Sequence, residues 1–416
     1  MSPVNPGGFT IESYTYTCNY TEETALNLQL SSRVQSIKPS PTLAVTNRAA
    51  ELRAAGQDII GLGAGEPDFD TPQHIKDAAI DAINSGFTKY TAVDGTPALK
   101  NAIINKFKND NGLDYQANQV LVSCGGKQSF FNLSLALLDA GDEVVIPAPY
   151  WVSYPDMVLI AEGVPVVIET TAEARFKITP EQLDAAITPK TKLVVLNSPS
   201  NPSGMAYTKA EFVALGEVLR KYPDVLIATD DMYEHTLWIE EFNNILTVNP
   251  DLYDRTIVLN GVSKAYSMTG WRIGYAAGPQ ALIGAMKKIQ SQSTSNPTSI
   301  AQFAAQAALE GDQVCVQNMV KVFKQRHDYM VKALNEIDGI KCLAGDGTFY
   351  VFPDFSGMQA KLGCATDTDL AEKLLEAGVA LVPGSAFGTP GHMRISFATS
   401  EDHLEKSIER LKAASI

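Results

Sequence analysis

The chain has 416 residues, of which 45% are hydrophobic and 19% are charged, and its formal net charge is −14 at pH 7. This length and composition predict a globular protein with one large and one smaller domain. The excess of acidic residues argues against nucleic acids and membranes as partners, although an anionic substrate can still bind where cations are placed locally.

The cysteines indicate neither a disulfide framework nor a zinc site, and we expect no metal. Five cysteines are scattered without a CxxC pair, so we expect buried free thiols. No apolar run reaches membrane-spanning length. The first 30 residues contain no Lys or Arg and fit neither a signal peptide nor a transit peptide. We interpret the segment before about Ser31 as a loosely ordered extension, and we expect a cytoplasmic protein.

Short apolar strands alternate with amphipathic helices in the middle of the chain. The predicted strands are 120–122, 143–146, 164–168, 193–196, 225–228 and 256–259, and helices such as 128–138 and 209–222 lie between some of them. The pattern predicts an α/β fold with a mainly parallel sheet covered by helices on both faces. Ligands of such sheets bind at the carboxyl ends of the strands.

A smaller α/β domain is predicted near the C-terminus. Its elements are a helix at 321–335, a strand at 347–352, a helix at 367–377, a strand at 393–397 and a helix at 401–412. We expect four parts in the chain, namely the extension 1–31, the first part of the small domain 32–74, the large domain 75–320 and the second part of the small domain 321–416.

Small and polar residues follow three of the predicted strands. Gly125 and Gly126 lie between a strand and a helix, where backbone amides and the helix N-terminus can bind an anion. By composition alone, a plain strand–helix turn is the simpler interpretation. Asn201 lies in a loop that two prolines and a glycine constrain, and a purely structural turn is equally consistent. Asp230 follows a strand three residues before Tyr233; a carboxylate there suits a cationic ring nitrogen, or it caps a helix.

The most informative segment is residues 263–274, Ser-Lys-Ala-Tyr-Ser-Met-Thr-Gly-Trp-Arg-Ile-Gly, which follows a strand and the turn-like pair Asn260-Gly261. A lysine held at a sheet end in a partly apolar setting can have a lowered pKa and attack an aldehyde. This makes Lys264 the candidate nucleophile. Arg272 offers a guanidinium suited to phosphate and Ser263 offers a hydroxyl.

Together these motifs resemble the class I aminotransferases of the PLP fold type I. The resemblance runs from about Ser32 to the C-terminus and is closest to the bacterial-type aspartate aminotransferases, a subgroup that includes prephenate aminotransferases. Segments 61–72 and 149–155 match that subgroup especially well. The resemblance implies a seven-stranded, mainly parallel sheet in the large domain, pyridoxal 5′-phosphate as cofactor, and a homodimer with shared active sites.

The resemblance also implies a role for each matched residue. Lys264 would form the aldimine with the cofactor and move the substrate proton, Asp230 would pair with the ring nitrogen, and Tyr233 would bind the ring oxygen beside Asn201. The remaining cofactor contacts would come from Trp151 stacked on the ring, from Gly125, Gly126, Lys127, Ser263 and Arg272 near the phosphate, and from Tyr90 of the other subunit. Arg394 would bind the substrate α-carboxylate, with Gly65, Asn201 and Trp151 lining the same site. The reaction implied is a ping-pong transfer of an amino group between aspartate or glutamate and 2-oxoglutarate or oxaloacetate.

One departure bears on the substrate. The best-known aspartate aminotransferases bind the distal carboxylate with an Arg that follows the cofactor lysine, but this chain has no Arg between Arg272 and Arg326. In the matching subgroup a Lys at the position of Lys127 recognises the acidic side chain. Lys38 and Thr46 resemble positions linked there to prephenate use. We therefore predict acidic substrates, with prephenate as a further acceptor.

Three alternatives stay open at this point. They are an aminotransferase for neutral or aromatic amino acids, a lyase or decarboxylase on the same fold, and a regulator that uses this fold as an effector domain. A regulator would require an attached DNA-binding module, and the first 30 residues show no helix-turn-helix pattern.

Overall fold

The computed structural model describes residues 28–415. Its helices are α1 Ser32–Ser36, α2 Pro41–Ala54, α3 Gln73–Asn84, α4 Pro97–Asn111, α5 Gly126–Leu137, α6 Ser153–Ile160, α7 Pro180–Ala186, α8 Lys209–Leu219, α9 Ile245–Val248, α10 Gln280–Ser291, α11 Ser299–Glu310, α12 Val314–Asn335, α13 Ser356–Lys361, α14 Asp367–Glu376 and α15 Glu401–Ala414. Its strands are β1 Ile60–Gly61, β2 Val120–Ser123, β3 Glu143–Pro147, β4 Val164–Ile168, β5 Thr191–Asn197, β6 Leu226–Asp230, β7 Thr256–Gly261, β8 Gly274–Ala277, β9 Tyr350–Val351, β10 Val379–Ala380, β11 Val382–Pro383 and β12 Met393–Ser396. The extension predicted at residues 1–31 lies almost wholly outside the described residues.

The central element is a seven-stranded sheet with the strand order β2-β8-β7-β6-β5-β3-β4. Strands β3 to β7 pair in parallel, whereas β8 runs antiparallel to both β2 and β7. This confirms the predicted α/β fold with a mainly parallel seven-stranded sheet. Strand β8 was not predicted, because its residues Gly-Tyr-Ala-Ala lack the β-branched side chains that identify strands.

Both faces of this sheet are buried. Along β2, Val120 and Val122 enter one apolar core and Leu121 enters another, as expected for side chains that alternate between the faces of a strand. Helices α3, α4 and α11 supply the first core, and α5, α6 and α10 supply the second. Because helices cover both faces of the sheet, side chains on both sides of each strand are mostly apolar, and the strands contain nearly continuous apolar runs.

A separate apolar core forms around β9, β12, α12, α14 and α15. It includes Phe323, Phe349 and Phe397, and Ile60 and Leu62 from near the N-terminus pack into it. The domain boundaries themselves stay a prediction.

Several predicted boundaries were wrong. The strand expected at 347–352 is only Tyr350–Val351, because Thr348 adopts a left-handed backbone with φ 70° that an extended strand cannot contain. The helix expected from residue 321 already begins at Val314. Asn260 and Gly261 end strand β7 and do not form a turn.

The cysteine prediction holds only in part. The cysteines of the described residues are free, but only Cys342 is buried; Cys124, Cys315 and Cys364 are partly exposed. Cys124 lies in the loop after β2 and lines a cavity, so it cannot be fully enclosed. Within residues 28–415, no helix is long and apolar enough to cross a membrane.

The sheet brings the predicted motifs to one edge. The carboxyl ends of β3, β5, β6 and β7 meet there because these strands are parallel. At these ends lie Asp230, the last residue of β6, and Trp151, Asn201 and Lys264, which follow β3, β5 and β7. They are therefore near one another although the chain separates them by up to 113 positions.

Candidate functional site

A cavity of about 430 Å³ lies at this edge of the sheet. Most of the predicted site residues line it, namely Thr46, Gly65, Gly126, Lys127, Trp151, Asn201, Asp230, Tyr233, Ser263, Lys264, Arg272 and Arg394. The structure does not place Lys38, Tyr90 or Gly125 on its wall. Site residues that were predicted from separate motifs thus line one cavity.

Lys264 lies three residues after β7 and points into the cavity. Its Nζ donates a hydrogen bond to the carbonyl oxygen of Gly65 and lies 5.9 Å from the ring centre of Phe349. Burial lowers the pKa of Lys264 to about 8, and the nearby positive charge of Arg394 contributes to the decrease. The amine is therefore much easier to deprotonate than an ordinary lysine, which suits a nucleophile or a base.

Asp230 is the last residue of β6, and its carboxylate faces the cavity. Its Oδ2 accepts a hydrogen bond from the phenol of Tyr154, and its Oδ1 accepts one from the backbone amide of Met232 at 3.2 Å. Burial raises the pKa of Asp230, whereas the hydrogen bond from Tyr154 lowers it. Two donors thus hold the carboxylate in place without occupying all of its oxygen lone pairs.

The neighbouring Asp231 has different surroundings. It is buried, does not line the cavity, and accepts hydrogen bonds from Thr229 at 2.7 Å and from Asn244 at 2.5 Å. Burial, followed by the charge of Glu234, raises the pKa of Asp231 to about 8. Of the two carboxylates, only Asp230 is placed to meet a molecule in the cavity.

One end of the cavity is suited to an anion. Gly125 has φ 90° and immediately precedes α5, so the turn delivers the amides of the helix start to this end. The positive φ of Gly125 favours glycine although this residue does not line the wall, and a Cβ there would also lie 2.4 Å from Arg272 Nη2. Arg272 donates only to backbone carbonyls, those of Thr269 at 2.8 Å and Cys124 at 3.3 Å. Its charge has no acidic partner among residues 28–415.

Arg394 provides a second cation on the wall of the cavity. Its side chain is only 2% exposed and lies over the rings of Tyr350 and Phe387, at 4.5 and 5.1 Å. It donates to Asn201 Oδ1 at 3.1 Å and to the Gly63 carbonyl at 2.7 Å. Its Nε is buried without a hydrogen-bond partner, and within the described part of the chain no carboxylate neutralises it. A buried unpaired cation beside a cavity is suited to a carboxylate ligand.

Lys127 provides a third cation. It is the second residue of α5, and its Nζ lies 5.3 Å from the ring centre of Trp151. Burial and the charge of Arg272 lower its pKa. Lys38 lies apart from this group, in an adjoining cavity of about 470 Å³ that Lys127 and Asp156 also line.

The comparisons with known proteins identify the family. Residues 57–411 match the family described as aminotransferase class I and II. A protein of Nitrosomonas europaea named aspartate/prephenate aminotransferase is 62% identical over 392 residues, which cover 92% of this chain and 99% of the relative. The aspartate aminotransferase of Geobacillus stearothermophilus is 54% identical over 386 residues, covering 92% and 98%. The chain belongs to the class I and II aminotransferases.

Solved structures agree with this assignment. The aspartate aminotransferase of Rhizobium meliloti has a TM-score of 0.90 and 50% identity, covering 93% of this chain and 99% of the other. The Thermus thermophilus aspartate aminotransferase with maleate has a TM-score of 0.88 and 44% identity, covering 93% and 100%. The predicted aminotransferase of the aspartate aminotransferase subgroup is thereby confirmed.

Three further residues of the aminotransferase contact the site but were not predicted from the sequence. Tyr154 donates to Asp230, Asn197 donates to the Asp230 carbonyl at 2.9 Å, and the Tyr350 hydroxyl lies 3.1 Å from that of Tyr233. Asn197 and Tyr154 lie inside segments that resemble the family, and this position was the signal in the sequence that could have identified them. Tyr350 lies in a strand whose apolar neighbours made it look like a core residue.

Tyr90 does not line the cavity of its own chain and is 92% exposed. The loop that carries it is nevertheless firmly held. Asp94 binds Lys100 at 2.7 Å and Lys287 at 3.0 Å, and Gln302 Nε2 donates to Thr91 Oγ1 at 3.0 Å. The enzyme therefore presents an exposed tyrosine on an anchored loop.

Proposed function

We propose that the enzyme transfers amino groups between aspartate or glutamate and the corresponding 2-oxo acids. The observation that carries this proposal is the pair of cations Arg394 and Lys127, which line one cavity and form no ion pair with any carboxylate among residues 28–415. Two carboxylates of one small substrate match two such cations. The maleate of the Thermus thermophilus structure is also a dicarboxylate, and the relatives are named for aspartate.

We further propose pyridoxal 5′-phosphate as the cofactor, because the residues present fit it. Asp230 suits the ring nitrogen, Trp151 the ring face and Tyr233 the ring oxygen. The Gly125–Gly126 turn, Ser263 and Arg272 suit the phosphate. Arg272 donates to backbone carbonyls, so a phosphate would provide the negative charge that its guanidinium lacks. When bound, this cofactor supplies an aldehyde that captures amino groups and a ring that accepts the electrons released at the substrate Cα.

The side chains of the chain then have separate tasks. Lys264 offers an amine whose lowered pKa permits it to capture the aldehyde and, once displaced by the substrate, to move the proton at Cα. Asp230 holds the proton of the ring nitrogen. Arg394 binds the α-carboxylate and so fixes the direction of the Cα–H bond, while Asn201 supports its guanidinium.

Prephenate is proposed as an additional amino-group acceptor. It carries two carboxylates, and Thr46, which lines the cavity, provides a polar group for a larger substrate. Lys38 in the adjoining cavity would act at longer range. The name of the Nitrosomonas europaea relative includes prephenate.

We also propose a homodimer and a cytoplasmic location. Support for the homodimer comes from the anchored loop that exposes Tyr90, together with the exposed apolar side chains of Ile80, Ile83 and Phe303 on α3 and α11. In a dimer, Tyr90 would contact the cofactor phosphate of the other subunit.

The test of the substrate proposal is Lys127→Ala, with Lys209→Ala as a surface control. A charge-assisted contact contributes about 1.5–3 kcal/mol, so kcat/KM for aspartate should fall by about 10- to 150-fold. The same constant for alanine should change little, because alanine has no distal carboxylate. An equal loss for both substrates would mean that Lys127 serves the cofactor. Preference for neutral amino acids in the unmodified enzyme, or turnover without a 2-oxo acid, would instead favour the neutral-substrate or lyase alternatives.

A further inference from the structure

Tyr154 has an unusual position beneath the site. It is the second residue of α6, its side chain is 1% exposed, and its phenol donates a hydrogen bond to Asp230 Oδ2. It does not line the cavity that contains Asp230 and Lys264. Its influence on a bound molecule must therefore pass through Asp230 or another neighbour.

The ring of Tyr154 is fixed by aromatic packing. It meets Trp151 edge to face, with ring centres 5.2 Å apart and an interplanar angle of 88°, and lies 4.8 Å from Phe130. The same residue thus contacts Asp230 through its hydroxyl and Trp151 through its ring. These two residues face the expected positions of the cofactor nitrogen and the cofactor ring.

The electrostatic surroundings favour a neutral phenol that donates to an ionised carboxylate. Burial, followed by the charge of Asp230, raises the pKa of Tyr154 well above its usual value, so its hydroxyl keeps its proton. Burial raises the pKa of Asp230, and the hydrogen bond from Tyr154 is the largest factor that opposes this increase. The other titratable groups facing this pair are Tyr233, Lys264 and Asp231.

We propose that Tyr154 is a positioning residue that keeps Asp230 ionised and aimed at the cofactor ring nitrogen. The proposal rests on the proposed cofactor. The proton between Asp230 and the ring nitrogen can lie on either partner, and a donor to the carboxylate stabilises the arrangement in which the nitrogen carries it. Without that donor, the proton shifts toward the carboxylate and the ring becomes a weaker electron acceptor.

The experiment compares Tyr154→Phe with the unmodified enzyme, both loaded with pyridoxal 5′-phosphate labelled with 15N in the ring. In Tyr154→Phe the nitrogen resonance at pH 7.5 should move toward that of unprotonated pyridine. The kcat for aspartate should fall about 10- to 150-fold, the range for loss of a hydrogen bond to a charged group. Tyr115→Phe is the matched control, since its buried hydroxyl has no hydrogen-bond partner in the described structure, and it should change neither readout.

A double-mutant cycle separates this role from simple packing. If Tyr154 acts through Asp230, then Tyr154→Phe should have little further effect on kcat in an Asp230→Asn background. A loss of the same size in both backgrounds, or an unchanged nitrogen resonance in Tyr154→Phe, would overturn the proposal.

A second series covers the case in which Tyr154→Phe does not fold. Mono- and trifluorotyrosine at position 154 retain the hydroxyl and make it progressively more acidic, so the nitrogen resonance should move stepwise toward the protonated value. A resonance that does not respond to phenol acidity would refute the proposal. Failure of the protein to bind the labelled cofactor would instead refute the proposed function, so the two failures are distinguishable.

Discussion

Replacing Glu234 with Gln should destabilise the enzyme, because the buried cation Lys106 loses its buried partner and keeps only the half-exposed carboxylate of Asp110, 3.8 Å away. The two side chains are each 4% exposed and form an ion pair. Glu234 also accepts hydrogen bonds from Asn260 at 2.7 Å and from Asn111 at 3.0 Å. Glu234 directly follows Tyr233 in the sequence but does not itself line the cavity.

Two routes give a similar magnitude for this effect. The charge of Lys106 and the surrounding donors, acting against burial, lower the pKa of Glu234 from 4.5 to about 2. At 1.36 kcal/mol per pKa unit this corresponds to roughly 3 kcal/mol. Breaking a buried ion pair by removing one partner typically costs about 3–5 kcal/mol. With an unfolding entropy of about 2.1 cal/mol/K per residue over 416 residues, the melting temperature should therefore fall by roughly 3–6 °C at pH 7.

The pH dependence gives a second check. Since the folded-state pKa of Glu234 lies below its unfolded value, its contribution is complete above about pH 4.5 and is lost as the pH falls through about 2. The stability gap between the unmodified enzyme and Glu234→Gln should shrink by roughly half between pH 7 and pH 3. Thermal unfolding over this pH range would measure it.

Two further variants make the result interpretable. Glu217→Gln removes an exposed carboxylate that pairs with Arg220 and should cost less than about 1 kcal/mol. Lys106→Met combined with Glu234→Gln removes the buried charge that has lost its main partner and should recover part of the stability. A Glu234→Gln protein as stable as Glu217→Gln at pH 7 would show that the reasoning from the buried charge is wrong.

Other predictions concern the chemistry directly. Lys264→Ala should abolish multiple turnover and the visible absorbance of the covalently bound cofactor, although the cofactor can still bind; near-normal turnover would exclude this lysine. The rate at which the apoenzyme captures pyridoxal 5′-phosphate should rise with pH and level off above about pH 8, where the Lys264 amine is neutral, and a stopped-flow profile flat from pH 6 to 9 would contradict this. Asp230→Asn should slow loss of the substrate α-proton severely, measured with α-deuterated aspartate, whereas Asp231→Asn should act mainly on stability; the reverse pattern would assign the roles to the wrong carboxylates.

Much of the site could be predicted because the relevant side chains follow strand ends. In a parallel sheet these ends share one edge, so Asn201, Asp230 and Lys264 could be placed together before any coordinates were known. Arg394 comes from a different sheet, at β12, and only the family resemblance connected it to the others.

The features that could not be predicted depend on side-chain direction or on local backbone strain. Tyr154 and Tyr350 lie among apolar residues, and nothing in their spacing reveals that one hydroxyl reaches Asp230 and the other reaches Tyr233. The left-handed backbone of Thr348, which shortens β9, has no signal of its own, since threonine favours extended strands.

In the proposed reaction, the charges of the site would also couple substrate binding to catalysis. Arg394 is the second-largest cause, after burial, of the lowered pKa of Lys264. A substrate carboxylate bound to Arg394 would neutralise that charge and thereby remove its contribution. The lysine amine, once displaced, would then be a stronger base at the stage when the Cα proton must leave. In the free enzyme the same amine is kept easier to deprotonate, which favours capture of the aldehyde. Arg394 would thus suit Lys264 to two successive tasks. Its free charge favours a neutral amine while Lys264 captures the aldehyde, and its neutralisation by a substrate carboxylate makes the amine a stronger base for the Cα proton.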